Sequence, residues 1–213
     1  MRTVIILFLL GAGLVSHAQI SRKSSTQGLN VAASGNMLGW TSQYFNYLDE
    51  NASNGAGGGI SAGYGITELI EPYAGIHFDV MGVENVDVTR FTFMHVDLGL
   101  KLNFLGTIHA WRPFVMGGYS MRTINLTEVS LNNDYPDARV YGGTPHLGGG
   151  LSYFFTESLS IFANALFTTG KNSNLEVDGV SYTDKPDITT FRLGIGVQFN
   201  IRYKCPNILN VLS

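Results

Sequence analysis

Met94-His95-Val96-Asp97-Leu98-Gly99-Leu100-Lys101-Leu102-Asn103-Phe104 alternates without a break, apolar at every even position and polar or glycine at every odd one. Successive side chains of a strand point to opposite faces, so this stretch is a strand with one apolar and one polar face. Its length matches the roughly ten residues with which a tilted strand crosses a bilayer.

Seven further segments carry the same period. Residues 28–40 place Leu29, Val31 and Ala33 on one face, and 58–66 place Ile60, Ala62, Tyr64 and Ile66 there. Residues 71–81 offer Ala74, Ile76, Phe78 and Val80, and 111–122 offer Val115, Tyr119 and Met121. In 146–155 the apolar face is Leu147, Leu151, Tyr153 and Phe155; in 159–169 it is Leu159, Ile161, Ala163, Ala165 and Phe167. Residues 189–201 repeat the pattern cleanly from Phe191 through Leu193, Ile195, Val197 and Phe199 to Ile201. The connections alternate too: 41–57, 82–89, 123–145 and 170–188 are long and polar, whereas 67–70, 105–110 and 156–158 are short. Long loops at one end and tight turns at the other predict an all-β fold, an eight-stranded antiparallel up-and-down transmembrane β-barrel.

Period two alone also fits a soluble cup with an apolar interior. Two features favour the membrane. The polar faces are mostly glycine, serine and asparagine with scattered charges, which suits a crowded barrel interior better than a whole wet surface. Rings gather near strand ends, at Trp40, Phe104, Trp111, Tyr153, Phe155 and Phe199, as interfacial girdles require. The composition of 26 Gly, 13 Phe, 10 Tyr, 14% charged residues and a net charge of −3 agrees with strands and offers no basic face for nucleic acid.

The N-terminal end carries Arg2, an apolar run through Leu10, and Ser16-His17-Ala18 before Gln19, so residues 1–18 are expected to be a cleaved signal peptide. The remaining chain divides into an N-terminal periplasmic segment, 19–27, the barrel, 28–201, and a short periplasmic tail, 202–213. Cys205 is the single cysteine, which leaves no disulfide framework.

The segment from Leu147 to Phe167 resembles the sixth and seventh strands of small OmpA-like outer-membrane β-barrel proteins. It has Gly148-Gly149-Gly150, Tyr153-Phe154-Phe155, a Thr156-Glu157-Ser158 turn and the Leu159-Ser160-Ile161 restart. The last strand, Gly194-Ile195-Gly196-Val197-Gln198-Phe199, is similar to the glycine and aromatic signal that the barrel-assembly machinery reads in that family. The resemblance implies the outer membrane of a Gram-negative cell as location, outer-membrane lipid and lipopolysaccharide as surroundings, and Gly194, Gly196 and Phe199 as the assembly signal. Family members usually end on that final aromatic, whereas here residues 202–213 follow.

With the apolar faces outward, the lumen receives Glu71, His77, Asp79, His95, Asp97, Lys101, Arg112, Arg122 and Arg192. Both signs of charge in a narrow, dry space must pair, so the expectation is an interior network that fills the barrel. The repeated His-x-Asp, His77 with Asp79 and His95 with Asp97, raises a metal site as an alternative, but two imidazoles and two carboxylates at strand spacing do not fix ligands, and neither metal nor cofactor is expected. His146, with Glu128, Ser130 and Asp134, would have to meet at the outer rim for a lipid-modifying enzyme to work. The acidic loops, with Asp49, Glu50, Glu84, Asp87, Glu128, Asp134, Asp137, Glu176, Asp178 and Asp184, could hold cations or a surface partner. The expected function is a non-enzymatic outer-membrane anchor with surface loops that serve interaction or membrane integrity, with a small pore as the alternative.

Overall fold

The computed structural model describes residues 24–83, 88–129, 136–171, 174–182 and 185–201. The expected signal peptide and tail, and loop residues Glu84, Asp87, Ser130, Asp134 and Asp184, lie outside the described residues. The elements are β1(Gly28–Thr41), α1(Asn46–Asn51), β2(Asn54–Gly65), β3(Ile70–Met81), β4(Arg90–Asn103), β5(Trp111–Thr127), β6(Ala138–Phe154), β7(Leu159–Lys171), β8(Asn174–Val177), β9(Val180–Tyr182) and β10(Asp187–Ile201). Each of β1 to β6 pairs antiparallel with the next. β10 pairs with both β7 and β1, which closes an eight-stranded barrel. β8 and β9 form a small hairpin laid along the end of β6.

The register fixes the tilt. Cross-strand partners followed round from Asn30 run through Gly63, Tyr73, Gly99, Gly118, His146, Thr168 and Thr190 and return to β1 at Trp40, ten residues further on. With strand spacings near 4.8 Å and a rise near 3.3 Å per residue, that stagger tilts the strands about 40° from the barrel axis. The outward row from Met94 to Phe104 then climbs about 25 Å, the height of the apolar band on an outer-membrane barrel. Trp111 and Tyr153, with ring centroids 4.5 Å apart, and Phe155, 5.1 Å from Tyr153, edge this band at the end that carries the short turns. In outer-membrane barrels the end with the short turns is the periplasmic one.

Above the band, polarity inverts. Met37, Val80 and Met94 face out and are exposed, while their chain neighbours Leu38, Met81 and Phe93 face in and are at most 3% exposed. From there upward the lumen side is apolar. Leu38, Trp40, Ala52, Met81, Val88, Phe91, Phe93, Ile124, Leu126, Val140, Leu175 and Ile188 form one buried cluster, with Phe45 and Leu48 from the α1 region packed on it. The outward positions there are polar: Thr41, Arg90, Thr123, Asn125 and Thr127.

Three expectations are corrected by this inversion. Trp40 belongs to no lipid girdle; it packs edge-on to Phe91 with centroids 5.3 Å apart, and its Nε1 donates to Ala52 O at 2.8 Å. Much of the long connection expected at 123–145 is strand, because β5 runs on to Thr127 and β6 begins at Ala138. The connection expected at 170–188 contains the β8–β9 hairpin, whose two turn residues, Asp178 at φ 48° and Gly179 at φ 77°, have the positive φ values of a tight hairpin turn.

Candidate functional site

The lumen of the barrel holds all nine charged residues expected there, and its wall is shaped to admit them. β2 presents glycine where β3 turns charge inward. A Cβ built on Gly59 would lie 2.1 Å from His77 Nδ1, so only glycine lets that imidazole fold across the strand. Gly196 likewise accepts the ring of Phe162, whose Cζ would stand 2.6 Å from an added Cβ, and Gly194 faces Asn164. Phe199 points outward between its cross-strand partners Val31 and Leu159.

Asp97 is the centre of the middle layer. It accepts from Ser120 Oγ at 2.5 Å and from Arg192 Nη2, and His77 Nε2 lies 3.7 Å away. The Asn36 amide donates to His77 Nδ1 at 3.0 Å, which leaves the Nε2 hydrogen aimed at Asp97. His77 and His95 are direct cross-strand partners, yet each reaches diagonally to a different carboxylate: His77 to Asp97, and His95 Nδ1 to Asp79 Oδ2 at 4.0 Å. This separation of the two imidazoles does not favour a shared metal, and among the described residues no three His, Cys, Asp or Glu side chains converge on one point.

Below this layer, Lys101 Nζ donates to Gln198 Oε1 at 3.1 Å, stands 3.5 Å from Glu71 Oε2 and lies over the Phe114 ring. Asn103 donates to Glu71 as well, at 3.0 Å. Arg112 meets no carboxylate of the expected set. It binds Glu68, a residue of the β2–β3 turn, through Nη1 to Oε2 at 2.9 Å and Nη2 to the main-chain oxygen at 2.5 Å. Burial pushes the Glu68 carboxyl up, but hydrogen bonds from Thr26 N, Arg112, Ser25 and Thr26 outweigh it and hold the group below its ordinary 4.5. Above the middle layer, Arg122 donates to Thr168 Oγ1 at 3.2 Å and to Ile188 O at 3.1 Å, and Thr168 bonds Thr190 at 2.7 Å.

His146 is not at the outer rim. It is 4% exposed and turned into the lumen, where its Nε2 lies 2.6 Å from the Tyr73 hydroxyl. The reason is that β6 starts eight residues before it, at Ala138, so it sits in mid-strand on the inward face. Glu128 instead accepts from Thr89 Oγ1 at 2.7 Å in an exposed loop, and Ser130 and Asp134 lie outside the described residues. Glu68, Ser120, Asn36, Tyr73 and Gln198 complete the lumen network and were not among the charged residues that the sequence pattern singled out. Between these layers lies a chamber of about 60 Å³ lined by Asn30, Tyr73, His77, Phe114, Asn164 and Arg192, among others.

No family model matches the chain, and no curated protein does either. Solved structures do. Neisserial surface protein A superposes over 82% of this chain and 98% of its own, with a TM-score of 0.60 at 15% identity. The fold is that of the small outer-membrane β-barrels. Outer membrane protein OprG from Pseudomonas aeruginosa covers 84% of this chain and 99% of its own, with a TM-score of 0.52 at 11% identity. The attachment invasion locus protein Ail of Yersinia pestis covers 82% and 100%, with a TM-score of 0.50 at 13% identity. At such identities the likeness concerns the barrel alone.

Proposed function

We propose that this chain is a non-enzymatic outer-membrane barrel that anchors an ordered outer platform, built from the ends of β5 and β6 and the β8–β9 hairpin, for contact with surface material. The observation that carries this reading is the filled lumen. Charges pair across it, and the apolar cluster around Trp40, Phe91 and Phe93 closes its outer end. A through-pore would need water where twelve buried apolar side chains now touch, and wetting such a constriction is unfavourable. The apolar band belongs in outer-membrane lipid and lipopolysaccharide, reached through the barrel-assembly machinery.

Planar-bilayer recording tests the reading. The refolded protein is expected to give no stable single-channel steps at moderate voltage. Reproducible steps that Arg192→Ala alters in size or selectivity would establish the small pore instead.

A further inference from the structure

Residues 24–26 precede the first strand, yet they are among the most buried of the described residues: Ser24 and Ser25 are 0% exposed and Thr26 is 1% exposed. They lie across the periplasmic end of the lumen. Thr26 N donates to Glu68 Oε2 at 2.9 Å, Thr26 Oγ1 to Glu68 O at 2.8 Å, and Ser25 Oγ to Glu68 Oε1 at 2.9 Å. Asn30 Nδ2 donates to Thr26 O at 3.0 Å, and Asn200, on the last strand, donates to Ser25 O. Ser24 N donates to Thr107 O at 2.9 Å in the β4–β5 turn. The wall has room for this segment because residue 65 is glycine: an added Cβ would stand 1.8 Å from Thr26 O.

The way the segment is held differs from the way the wall is held. The barrel strands share continuous backbone ladders, whereas residues 24–26 form no ladder and are gathered round one turn residue, Glu68, which Arg112 holds by one bond to its carboxylate and one to its main-chain oxygen. The chamber adjoins the segment through Asn30, which lines it and bonds Thr26, and Glu71, Lys101 and Gln198 on its wall are polar too. Asn30 Oδ1 is buried there without a hydrogen-bond partner, a state that a water molecule in the chamber relieves.

We propose that residues 24–26 are a releasable strap that seals the periplasmic mouth of the lumen through the Glu68–Arg112 pair, and that its release admits water and small polar solutes to the chamber while the apolar cap keeps the outer end shut. Glu68 and Arg112 are positioning residues in this device. The inference stands apart from the anchor reading, because conductance reports on the cap and chamber access reports on the strap.

The test uses the full chain with Cys205→Ser and one new thiol, Ala32→Cys, on the chamber lining. The probe is a small methanethiosulfonate reagent applied to the folded protein. With the strap intact, modification is expected to be at least tenfold slower than at Gly106→Cys in the exposed β4–β5 turn. Glu68→Ala is expected to raise the Ala32→Cys rate at least tenfold, and so is the strap-side pair Ser25→Ala with Thr26→Val, which leaves the barrel strands untouched and decides the matter if Glu68→Ala does not fold. Fast modification with the strap intact would overturn the proposal, as would an unchanged rate in a strap-side variant that still shows the heat-modifiable gel mobility of a closed barrel.

Discussion

Asp97 shows what a single residue does in this lumen. It is 1% exposed and receives Arg192, Ser120 and the edge of His77, so three strands besides its own depend on it. Removing it leaves the Arg192 guanidinium, 6% exposed, without its carboxylate. An uncompensated buried charge costs about 3–5 kcal/mol. Asp97→Ala is therefore expected to lower the urea stability of the refolded barrel by that amount, and a loss below about 1 kcal/mol would mean that solvent already screens the pair. The sequence made the charges of this site legible, because a charge on the polar row of a spanning strand has only the lumen to enter. It did not make their partners legible. Asp97 and Arg192 are 95 positions apart, and Arg112 meets Glu68, a turn residue that no strand period marks.

At the scale of the element, the eight spans follow from period two, yet the period does not say where a strand leaves the membrane. Inside the bilayer the outward row must be apolar; above it the same row meets water and the inward row must pack, so the pattern changes phase by one residue. Apolar doublets mark the change: Met37-Leu38, Val80-Met81 and Phe93-Met94 each put one side chain out and one in. Unless that phase change is followed, Ile124, Leu126 and Val140 look like isolated loop residues, and Trp40 looks like a girdle ring. The Asp178-Gly179 pair was a hairpin signal available in the sequence, but flanking strands of four and three residues give too few alternations to support it. The two tryptophans test the inversion, since Trp40 is 3% exposed inside the outer extension and Trp111 is 55% exposed on the lipid face. In bilayers containing brominated lipid, emission from Trp111 in the Trp40→Phe protein is expected to be strongly quenched. Emission from Trp40 in the Trp111→Phe protein should persist, and comparable quenching of both would place Trp40 in lipid and refute the inverted face.

For the molecule as a whole, eight strands and a ten-residue stagger leave an interior just wide enough for side chains to fill. The seals at its two ends come from segments distant in sequence. The outer cap gathers β1, β3, β4, β5, β6, β8 and β10 with loop residues Ala52 and Val88, and the periplasmic seal brings residue 25 against residue 200. Closure into a barrel could be inferred strand by strand, whereas these seals exist only once every strand is in place. The same geometry sets the membrane the protein suits. Where outer polarity inverts above Met94 and rings gather below Phe104, the apolar wall is about 25 Å high, thinner than the ~30 Å core of a typical bilayer. Hydrophobic mismatch costs fractions of a kcal/mol per Å, so about 5 Å of excess thickness amounts to a measurable loss spread over the rim. In a series of saturated phosphatidylcholines of increasing chain length, the urea midpoint of the refolded barrel is expected to peak where the hydrocarbon core is about 25 Å thick and to fall in thicker bilayers. A peak at 30 Å or more would mean that the outward rows above Met94, with Thr92 and Arg90, enter the membrane, and that the apolar cap lies within it rather than above it.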